Sequence, residues 1–461
     1  MKFNNFKYTI SLTFFVFAIW YFLLGFSFIN QPFIWDDLHI IRQFSYNEIL
    51  SSWFGNWDPD SIETPSYRPI AILFYSFLGT VFKENFIALR IFIFCMMAFL
   101  LIQFLLMLLE LNFKKLEITI LAFLLVFTKI FSTLLSWFTL SALIFCYILA
   151  FFSVSYFIKW INTNNIKYYF LSILFTFLSI FTREEMYILP IILFFVYFYI
   201  KKNLSSRILI NLLFLIPFFS IVLIHIVLRK YFVPESAGFE FFLWGVKFGG
   251  DNIGFGNLIK ALKSSWSPMG YWKKDYSFLL IQTYSFFIWV FSIIIGIFFL
   301  LKNENNKINF IKSFIFIFLL IALCLPHVAT ERAFGIFLPT LISITFVGFL
   351  VSELIRIGKL KNNIFNMPYL ICFLILSSGI FGGYDRSNKH IKTMNIFSEH
   401  IIYYDATFIY GYKNLKIPEA RLKQKIIHLK KIGISDENDY KNFSYDKITK
   451  YDKNFFKPLS F

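Results

Sequence analysis

The chain has 461 residues, of which 58% are hydrophobic and only 15% are charged. Soluble domains carry roughly 25% charged residues, so these values exclude a soluble globular protein. The formal net charge of +17 would suggest a nucleic-acid partner in a soluble protein. Here most basic residues lie in short loops between apolar runs, where they set membrane orientation, and we expect no nucleic-acid partner.

Apolar runs long enough to cross a bilayer recur from end to end. Backbone polar groups in hydrocarbon must be satisfied within their own segment, so these runs are predicted to be helices. The composition and spacing predict an all-α polytopic membrane protein with about eleven transmembrane helices. In chain order the predicted spans are 8–30, 85–109, 117–136, 138–158, 168–182, 186–200, 208–228, 277–301, 310–326, 334–354 and 367–383.

Two long loops and a tail interrupt this pattern. In the first loop, 31–84, residues 38–53 have the spacing of a helix on the membrane surface. Residues 69–82 are apolar but short, which is typical of a re-entrant or interfacial helix. The second loop is 229–276. We expect a transmembrane domain, 1–383, followed by a polar, basic tail, 384–461, on the extracytoplasmic side.

The distribution of Lys and Arg predicts the orientation. Alternate connections are basic, and the positive-inside rule puts them and the N-terminus in the cytoplasm. Both long loops then lie outside. Because the abundance of Phe, Lys, Asn and Ile is typical of an AT-rich genome, we expect a bacterial cytoplasmic (inner) membrane protein of the cell envelope. Its functional site should face the periplasm or exterior.

Four polar clusters interrupt membrane-embedded sequence on this predicted outer side. Ionisable groups at such depth are costly, so they usually serve a function or pair with one another. The clusters are Trp35-Asp36-Asp37, Tyr67-Arg68-Pro69, Thr182-Arg183-Glu184-Glu185 and Thr330-Glu331-Arg332. Their shared side predicts one extracytoplasmic site.

Asp36 and Asp37 are the candidate catalytic residues. Adjacent carboxylates repel, and partial burial raises the pKa of at least one, which suits a general base. The alternative interpretation is a helix N-cap, a position that Asp favours. His39 would share a helical face with Asp36 and could orient a carboxylate or a substrate.

Arg68 is a candidate phosphate ligand, because a guanidinium group binds phosphate in a bidentate manner. The alternative is that Arg68 binds no ligand and that its long side chain extends to the membrane–water interface. Glu184 and Glu185 lie in a tight hairpin. One is expected to pair with Arg183, and the other to remain available for substrate.

Arg332 is the second candidate phosphate ligand, since the chain returns directly into the membrane after it. An internal ion pair with Glu331 is the alternative. Asp58-Pro59-Asp60 has the D-x-D spacing of some metal sites, although Pro favours a turn. A divalent metal is left open, and no other cofactor is expected.

In order, these clusters resemble the motifs of the multi-spanning GT-C glycosyltransferases. They are most similar to the transmembrane O-mannosyltransferases that carry tetratricopeptide repeats, and to their bacterial relatives. The acidic pair resembles the family's first-loop motif, and Tyr67-Arg68-Pro69 resembles its YRP. Arg183 to Glu185 resembles its Lys-Glu turn, and the run from Glu331 to Pro339 its ER-x-x-Y-LP segment.

The resemblance covers roughly residues 8–355 and has departures. The stretch 128–131 lacks the histidines of the family's outer turn, Gly335 stands where the family has an aromatic residue, and no tetratricopeptide repeats follow. Any metal or acceptor role of that turn is therefore in doubt.

The resemblance implies an inverting transfer of a monosaccharide from a polyprenyl-phosphate carrier to an acceptor hydroxyl. Asp36 would be the base and Asp37 would orient it, while Arg68 and Arg332 would bind the phosphate. Tyr67, Glu184, Glu185, Glu331 and His39 would contact substrate. Expected partners are the lipid-linked sugar, membrane lipids and an acceptor glycan, lipid or protein.

Two other classes stay open at this point. A flippase or transporter for lipid-linked glycans predicts charges along a path through the helices. An O-antigen polymerase or ligase also spans the membrane many times and has large outer loops. The gathering of acids at one face favours the transferase.

Overall fold

A computed structural model of the chain describes most of the membrane part and some of the tail. The described residues are 3–34, 36–58, 60, 66–200, 213–234, 279–301, 337–360, 367–400, 405–411, 416–431 and 433–442. Within these ranges the chain forms helices and turns, and no strand. The predicted all-α class is therefore confirmed for the described residues.

Sixteen α-helices follow one another in the described residues, joined in places by short 3₁₀ turns. They are α1 (Phe3–Leu23), α2 (Asp37–Ile40), α3 (Tyr46–Ser51), α4 (Pro69–Phe82), α5 (Phe86–Glu110), α6 (Lys115–Val126), α7 (Lys129–Ser136), α8 (Ser141–Thr163), α9 (Ile166–Thr182), α10 (Leu189–Ile200), α11 (Ile216–Phe232), α12 (Leu279–Leu301), α13 (Phe337–Leu360), α14 (Met367–His400), α15 (Glu419–Lys431) and α16 (Glu437–Asn442).

A helix occupies every predicted span except 310–326, which lies outside the described residues. In the described part, six helices are long and apolar enough to cross a membrane, or seven if the bent pair α6–α7 is one span. The protein is thus a multi-pass helical membrane protein, while the total of about eleven spans stays a prediction. The second long loop lies outside the described residues from position 235 onward.

Three local predictions were wrong in detail. The span 117–136 is broken by 58°, because the Thr128 side chain accepts a hydrogen bond from the Phe131 amide and starts α7 as a new helix. The surface helix 38–53 is two short helices, since Ser45 and Glu48 form a capping box that begins α3. The helix that contains the last predicted span, 367–383, continues to His400, and its candidate membrane span ends at Lys392.

Side-chain contacts separate two ends of the helix bundle. At the predicted cytoplasmic end, the Tyr8 hydroxyl donates to the Lys115 carbonyl, and Lys114 pairs with Glu353 at 2.9 Å. Basic connections that are distant in sequence therefore meet at one end, as the positive-inside pattern predicted. The acidic pair and the Arg183–Glu185 turn both lie at the other end of the bundle.

Two helices form the centre of the bundle. The membrane windows of Phe337–Ile357 and Phe138–Thr163 are 89% and 78% buried, against 28% for the window in α1. Large apolar side chains on the peripheral helices, such as Phe14, Phe170 and Leu223, are exposed. In a membrane these side chains face lipid, so their exposure costs nothing.

Within the first loop, the residues that precede α4 pack directly on that helix. A β-carbon added to Gly79 would lie 2.1 Å from the carbonyl carbon of Arg42, so the two backbones approach more closely than any side chain allows. The Phe44 amide also donates to the Ser76 hydroxyl on α4. Gly79 therefore lets the loop that carries the acidic pair lie against the bundle.

We predict that Gly79→Ala lowers the melting temperature of the detergent-solubilised protein by several degrees, because backbone must move to admit the methyl group. Gly55→Ala is the matched control, since the nearest atom to its added β-carbon is 3.4 Å away. Scanning fluorimetry measures both. Equal melting temperatures for the two variants would show that the close approach is not required.

Candidate active site

Asp37 is fully buried and joins the first outer loop to the turn between α7 and α8. Its Oδ1 accepts hydrogen bonds from the Thr139 amide at 2.7 Å and the Thr139 hydroxyl at 2.5 Å. Its Oδ2 accepts from the Ile34 amide at 3.3 Å. Both oxygens are thus held by groups of the protein, which fixes the carboxylate and the residue before it.

Asp36 is the more exposed member of the pair, at 9% against 0% for Asp37. Its Oδ1 accepts a hydrogen bond from the Trp137 indole Nε1 at 2.7 Å. Asp36 precedes α2, but its side chain makes no capping hydrogen bond. The N-cap interpretation of Asp36 is therefore wrong, and its carboxylate points to the α7–α8 turn instead.

Burial raises the pKa of Asp37 to about 6, although the Thr139 and Ile34 hydrogen bonds and the cation of Arg90 favour the charged form. Arg90 itself is fully buried, donates to the carbonyls of Ser136 and Gln31 and lies over the Phe138 ring. The raised pKa predicted for one member of the pair is thus found on Asp37. Ionisation of Asp37 falls within the physiological pH range.

The second cluster consists of buried arginines and glutamates. Arg68 Nε donates to Glu184 Oε2 at 2.7 Å, and Arg229 lies 3.6 Å from Glu184 Oε1. Burial opposes ionisation, but Arg68 and Arg229 hold the pKa of Glu184 well below its usual range. Arg183 forms a bidentate salt bridge with Glu185 through Nε and Nη2. The expected pairing of Arg183 is confirmed.

The expectation that one glutamate stays available is wrong, since Glu184 is held by Arg68. The reason is that the hairpin brings Glu184 back against the turn before α4. The contact uses Arg68 Nε, so it does not engage the two terminal guanidinium nitrogens. Those are the nitrogens that bind a phosphate in a bidentate manner.

Tyr67 and His225 form hydrogen bonds that support this cluster. The Tyr67 hydroxyl donates to the Trp53 carbonyl. His225 is within hydrogen-bonding distance of the Tyr67 carbonyl through Nε2 and of the Tyr187 hydroxyl through Nδ1. His225 is thus satisfied locally, and Tyr67 fixes the backbone before Arg68.

Tyr75 on α4 lies between the two clusters. Its hydroxyl donates to the Thr139 carbonyl at 2.6 Å, and the Thr139 amide donates to Asp37. On its other side, the Tyr75 ring lies 6.1 Å from the Trp57 ring, over which Arg68 stacks at 5.3 Å. The acidic pair and Arg68 therefore both lie near Tyr75, at the same end of the bundle.

An apolar cavity of about 120 Å³ lies beside the glutamates. Met186, which follows Glu185, lines it together with Leu189 and Val196 of α10, Val154 of α8 and Leu341 of α13. Leu111 and Phe113 line it as well, and they belong to the other end of the bundle. The cavity thus runs along the helices between Met186 and the α5–α6 turn.

His39 does not orient Asp36. Its Nε2 lies 3.7 Å from Asp58 Oδ2, and both side chains are fully buried. Asp58 Oδ1 accepts from the Asp60 amide, which is the turn geometry that Pro59 favours, and Asp60 pairs with Arg42. Among the described residues, no three His, Cys, Asp or Glu side chains meet at metal-ligand spacing.

Two predicted site residues, Glu331 and Arg332, lie outside the described residues. Sequence reasoning missed Trp137, Thr139, Arg90 and Arg229. Their signals were weak but present: Trp137 lies between the predicted spans 117–136 and 138–158, and Thr139 is the second residue of the latter span. Arg90 and Arg229 are cations near the outer ends of apolar runs, where a buried partner is expected.

No protein-family model and no curated protein matches the chain. Two solved structures of oligosaccharyltransferase from Archaeoglobus fulgidus are similar. The apo form has a TM-score of 0.49 at 12% identity, with 95% of this chain and 61% of that chain covered. The AglB complex with an inhibitory peptide and a dolichol-phosphate has 0.45 at 13%, with 96% and 62% covered.

The chain spans about three fifths of the length of those archaeal proteins. At these identities and scores the similarity is too weak to assign a family or an activity. The clusters and the cavity described above stand independently of it.

We predict that Asp37 makes the folded protein less stable as pH rises from 5 to 7. Its pKa of about 6 is above that of an unfolded aspartate, so folding favours the proton, and the benefit is lost as pH passes the folded pKa. The loss is about 1 kcal/mol. Asp37→Asn should lack it. Melting curves of both proteins at pH 5 and 7 measure the difference, and parallel shifts would contradict the prediction.

Proposed function

We propose that this chain is an inverting glycosyltransferase that moves a monosaccharide from a polyprenyl-phosphate carrier to an acceptor hydroxyl on the extracytoplasmic face. The observation that supports it is the meeting of an acidic pair and buried arginines around Tyr75, together with an apolar cavity lined by Met186, the residue after Glu185. An amphiphilic donor requires that combination: polar groups for sugar and phosphate, and an apolar path for the lipid chain.

Asp36 acts as the general base in this proposal. As the acceptor oxygen attacks the anomeric carbon, Asp36 takes the proton of the hydroxyl group. The bond between the anomeric carbon and the phosphate oxygen breaks on the opposite face, and its electron pair leaves with the polyprenyl phosphate. Asp37, buried and held by Thr139, keeps Asp36 in place.

Arg68 stabilises the leaving phosphate. Its Nε is fixed by Glu184, which leaves the terminal nitrogens oriented for two phosphate oxygens. Arg332 is the proposed second phosphate ligand. Glu331 is proposed to hold sugar or acceptor hydroxyls. Glu184, Glu185, Tyr67 and His39 are proposed to act on substrate through the groups that they hold in place.

The lipid chain occupies the apolar cavity in this account. Its lining residues belong to α5, α8, α10 and α13, so a prenyl chain would run along the helices from the phosphate toward the membrane interior. Energised nucleotide sugars are confined to the cytoplasm, so an outward-facing site has to use a donor already delivered through the bilayer. We accordingly propose a cytoplasmic (inner) membrane location in a bacterial cell envelope.

Asp36→Asn should reduce transfer in proteoliposomes by roughly 10²–10⁴, because the amide cannot accept the proton. The assay supplies radiolabelled polyprenyl-phosphate sugars and envelope extract as acceptor. Asp436→Asn is the matched control, since Asp436 is exposed in the tail and its carboxylate accepts from the amides of Asn438 and Asp439, which an Asn side chain can also do. Full activity of Asp36→Asn would contradict the assignment.

Mass spectrometry of envelope glycans from cells lacking the gene separates transferase from flippase. Loss of a single sugar residue is expected, with cells carrying Asp36→Asn showing the same loss. Accumulation of a complete lipid-linked glycan without loss of one residue would instead favour the flippase.

Val196→Trp should fill the apolar cavity and raise the KM for a long-chain donor about tenfold, since losing contact with two methylene groups costs about 0.8 kcal/mol each. A donor with a short prenyl chain should be affected less. Leu174→Trp on α9, which is exposed on the outer surface of the bundle, serves as the control. Equal KM values for both chain lengths in Val196→Trp would count against the cavity as the chain site.

A further inference from the structure

The tail helix α15 buries two cations toward the rest of the protein. Its buried residues are Arg421, Lys425 and Leu429, spaced four apart and therefore on one face of the helix. Glu419 in the first turn and Lys430 and Lys431 in the last suit the helix dipole, and Gly433 ends the helix with φ of +90°. The helix is well formed locally, but its inward face is unusually polar.

Apolar packing does not explain why this face is buried. The tail's own small core in the described residues consists of Ala406, Leu429 and Ile434. Burying a charge is costly unless it is paired and hydrogen-bonded. Lys425 is paired within the tail, where its Nζ lies 2.9 Å from Asp405 Oδ2. Arg421 meets this requirement through the first outer loop and the α4–α5 turn.

Arg421 uses its whole guanidinium group for these contacts. Nη1 donates to the Asp37 carbonyl at 2.9 Å, and Nη2 donates to the Lys83 carbonyl at 2.9 Å. Nε pairs with Glu84 at 3.1 Å, and the group lies 3.7 Å over the Phe33 ring. Arg421 is only 2% exposed.

These contacts reach the backbone of the acidic pair itself. One guanidinium group joins the first loop at Asp37, the α4–α5 turn at Lys83, where φ is +47°, and the tail. Lys416 adds a second contact, 2.7 Å from Glu48 on α3. The tail residues and the first outer loop therefore lie on the same side of the bundle.

We propose that Arg421 is a positioning residue for glycosyl transfer: the tail completes the active site by holding the Asp36–Asp37 turn from behind. The proposal rests on the function proposed above. Arg421 touches no substrate in this account. It acts through the backbone of Asp37, and a small displacement of a catalytic group can cost up to about a hundredfold in rate.

Loss of Arg421 should therefore lower kcat and leave donor binding nearly unchanged. Arg421→Ala is expected to reduce kcat about tenfold to a hundredfold, with the KM for the donor within twofold of the parent. Arg421→Lys keeps the charge but cannot span three acceptors, so it should restore activity only in part. Lys423→Ala is the control, because among the described residues the ion-pair partner of Lys423 is Glu419 on the same helix.

The pH profile gives a readout that a purely structural role would not change. Within the part of the chain that the structure describes, the charged and titratable groups around Asp37 are Asp36, Arg90 of α5, Tyr75 of α4 and Arg421 with its partner Glu84. Removing the Arg421 cation disfavours the ionised form of the Asp36–Asp37 pair, and Asp36 must be ionised to take the acceptor proton. The acid limb of kcat should thus move to higher pH in Arg421→Ala, and to a smaller extent in Arg421→Lys.

A zero-length carbodiimide cross-linker tests tail docking without any activity assay. It should join Lys416 to Glu48 in the parent protein, and mass spectrometry should find this product strongly reduced in Arg421→Ala and retained in Lys423→Ala. If Arg421→Ala does not purify, Arg421→Lys serves for the cross-link and the pH profile.

The outcomes separate the two proposals. A parent protein that transfers sugar, with an Arg421→Ala variant of unchanged kcat and acid limb, overturns the positioning role and leaves the transferase intact. A parent protein without transfer activity counts against the transferase and therefore against the positioning role. Absence of the Lys416–Glu48 product from the parent protein would overturn the docking of the tail itself.

Discussion

The hydrogen bonds between Asp37 and Thr139 are the interaction on which the acidic-pair end of the bundle depends. They connect the first loop, which follows α1, to the turn between α7 and α8. Helix α8 is one of the two helices at the centre of the bundle. Asp36, the Trp137 indole and the Tyr75 hydroxyl are all placed relative to Thr139. Because Asp37 is buried there with both oxygens bonded, its position is set by the core of the bundle and not by the loop.

Charge pairing explains how so many ionisable groups are tolerated at one end of an apolar bundle. Glu184 lies between Arg68 and Arg229, Glu185 holds Arg183, and Arg421 meets Glu84 and backbone carbonyls. In each case, attraction between opposite charges, or between a charge and a carbonyl dipole, offsets the free energy of removing the charged groups from water. An unpaired buried charge would have no such compensation. The same pairing fixes the position of Arg68, whose Nε is held by Glu184.

Much of this organisation could be predicted from the sequence. Helix positions follow from apolar length, the two ends follow from the basic loops, and the described outer clusters meet because hairpin turns return to one face. The break at Thr128 and the split at Ser45 were missed because they arise from single capping side chains inside otherwise periodic runs. The partners Thr139 and Arg421 were missed for another reason: they are 102 and 384 residues from Asp37 in sequence, and only the folded chain brings them together.

A structure of the protein with a bound polyprenyl-phosphate sugar, determined in a lipid nanodisc, tests the central claim most directly. The account predicts a phosphate about 3 Å from the terminal nitrogens of Arg68, a prenyl chain in the cavity lined by Met186, and the anomeric carbon facing Asp36. A phosphate bound at the Lys114–Glu353 end of the bundle, or a sugar that does not approach Asp36, would contradict it.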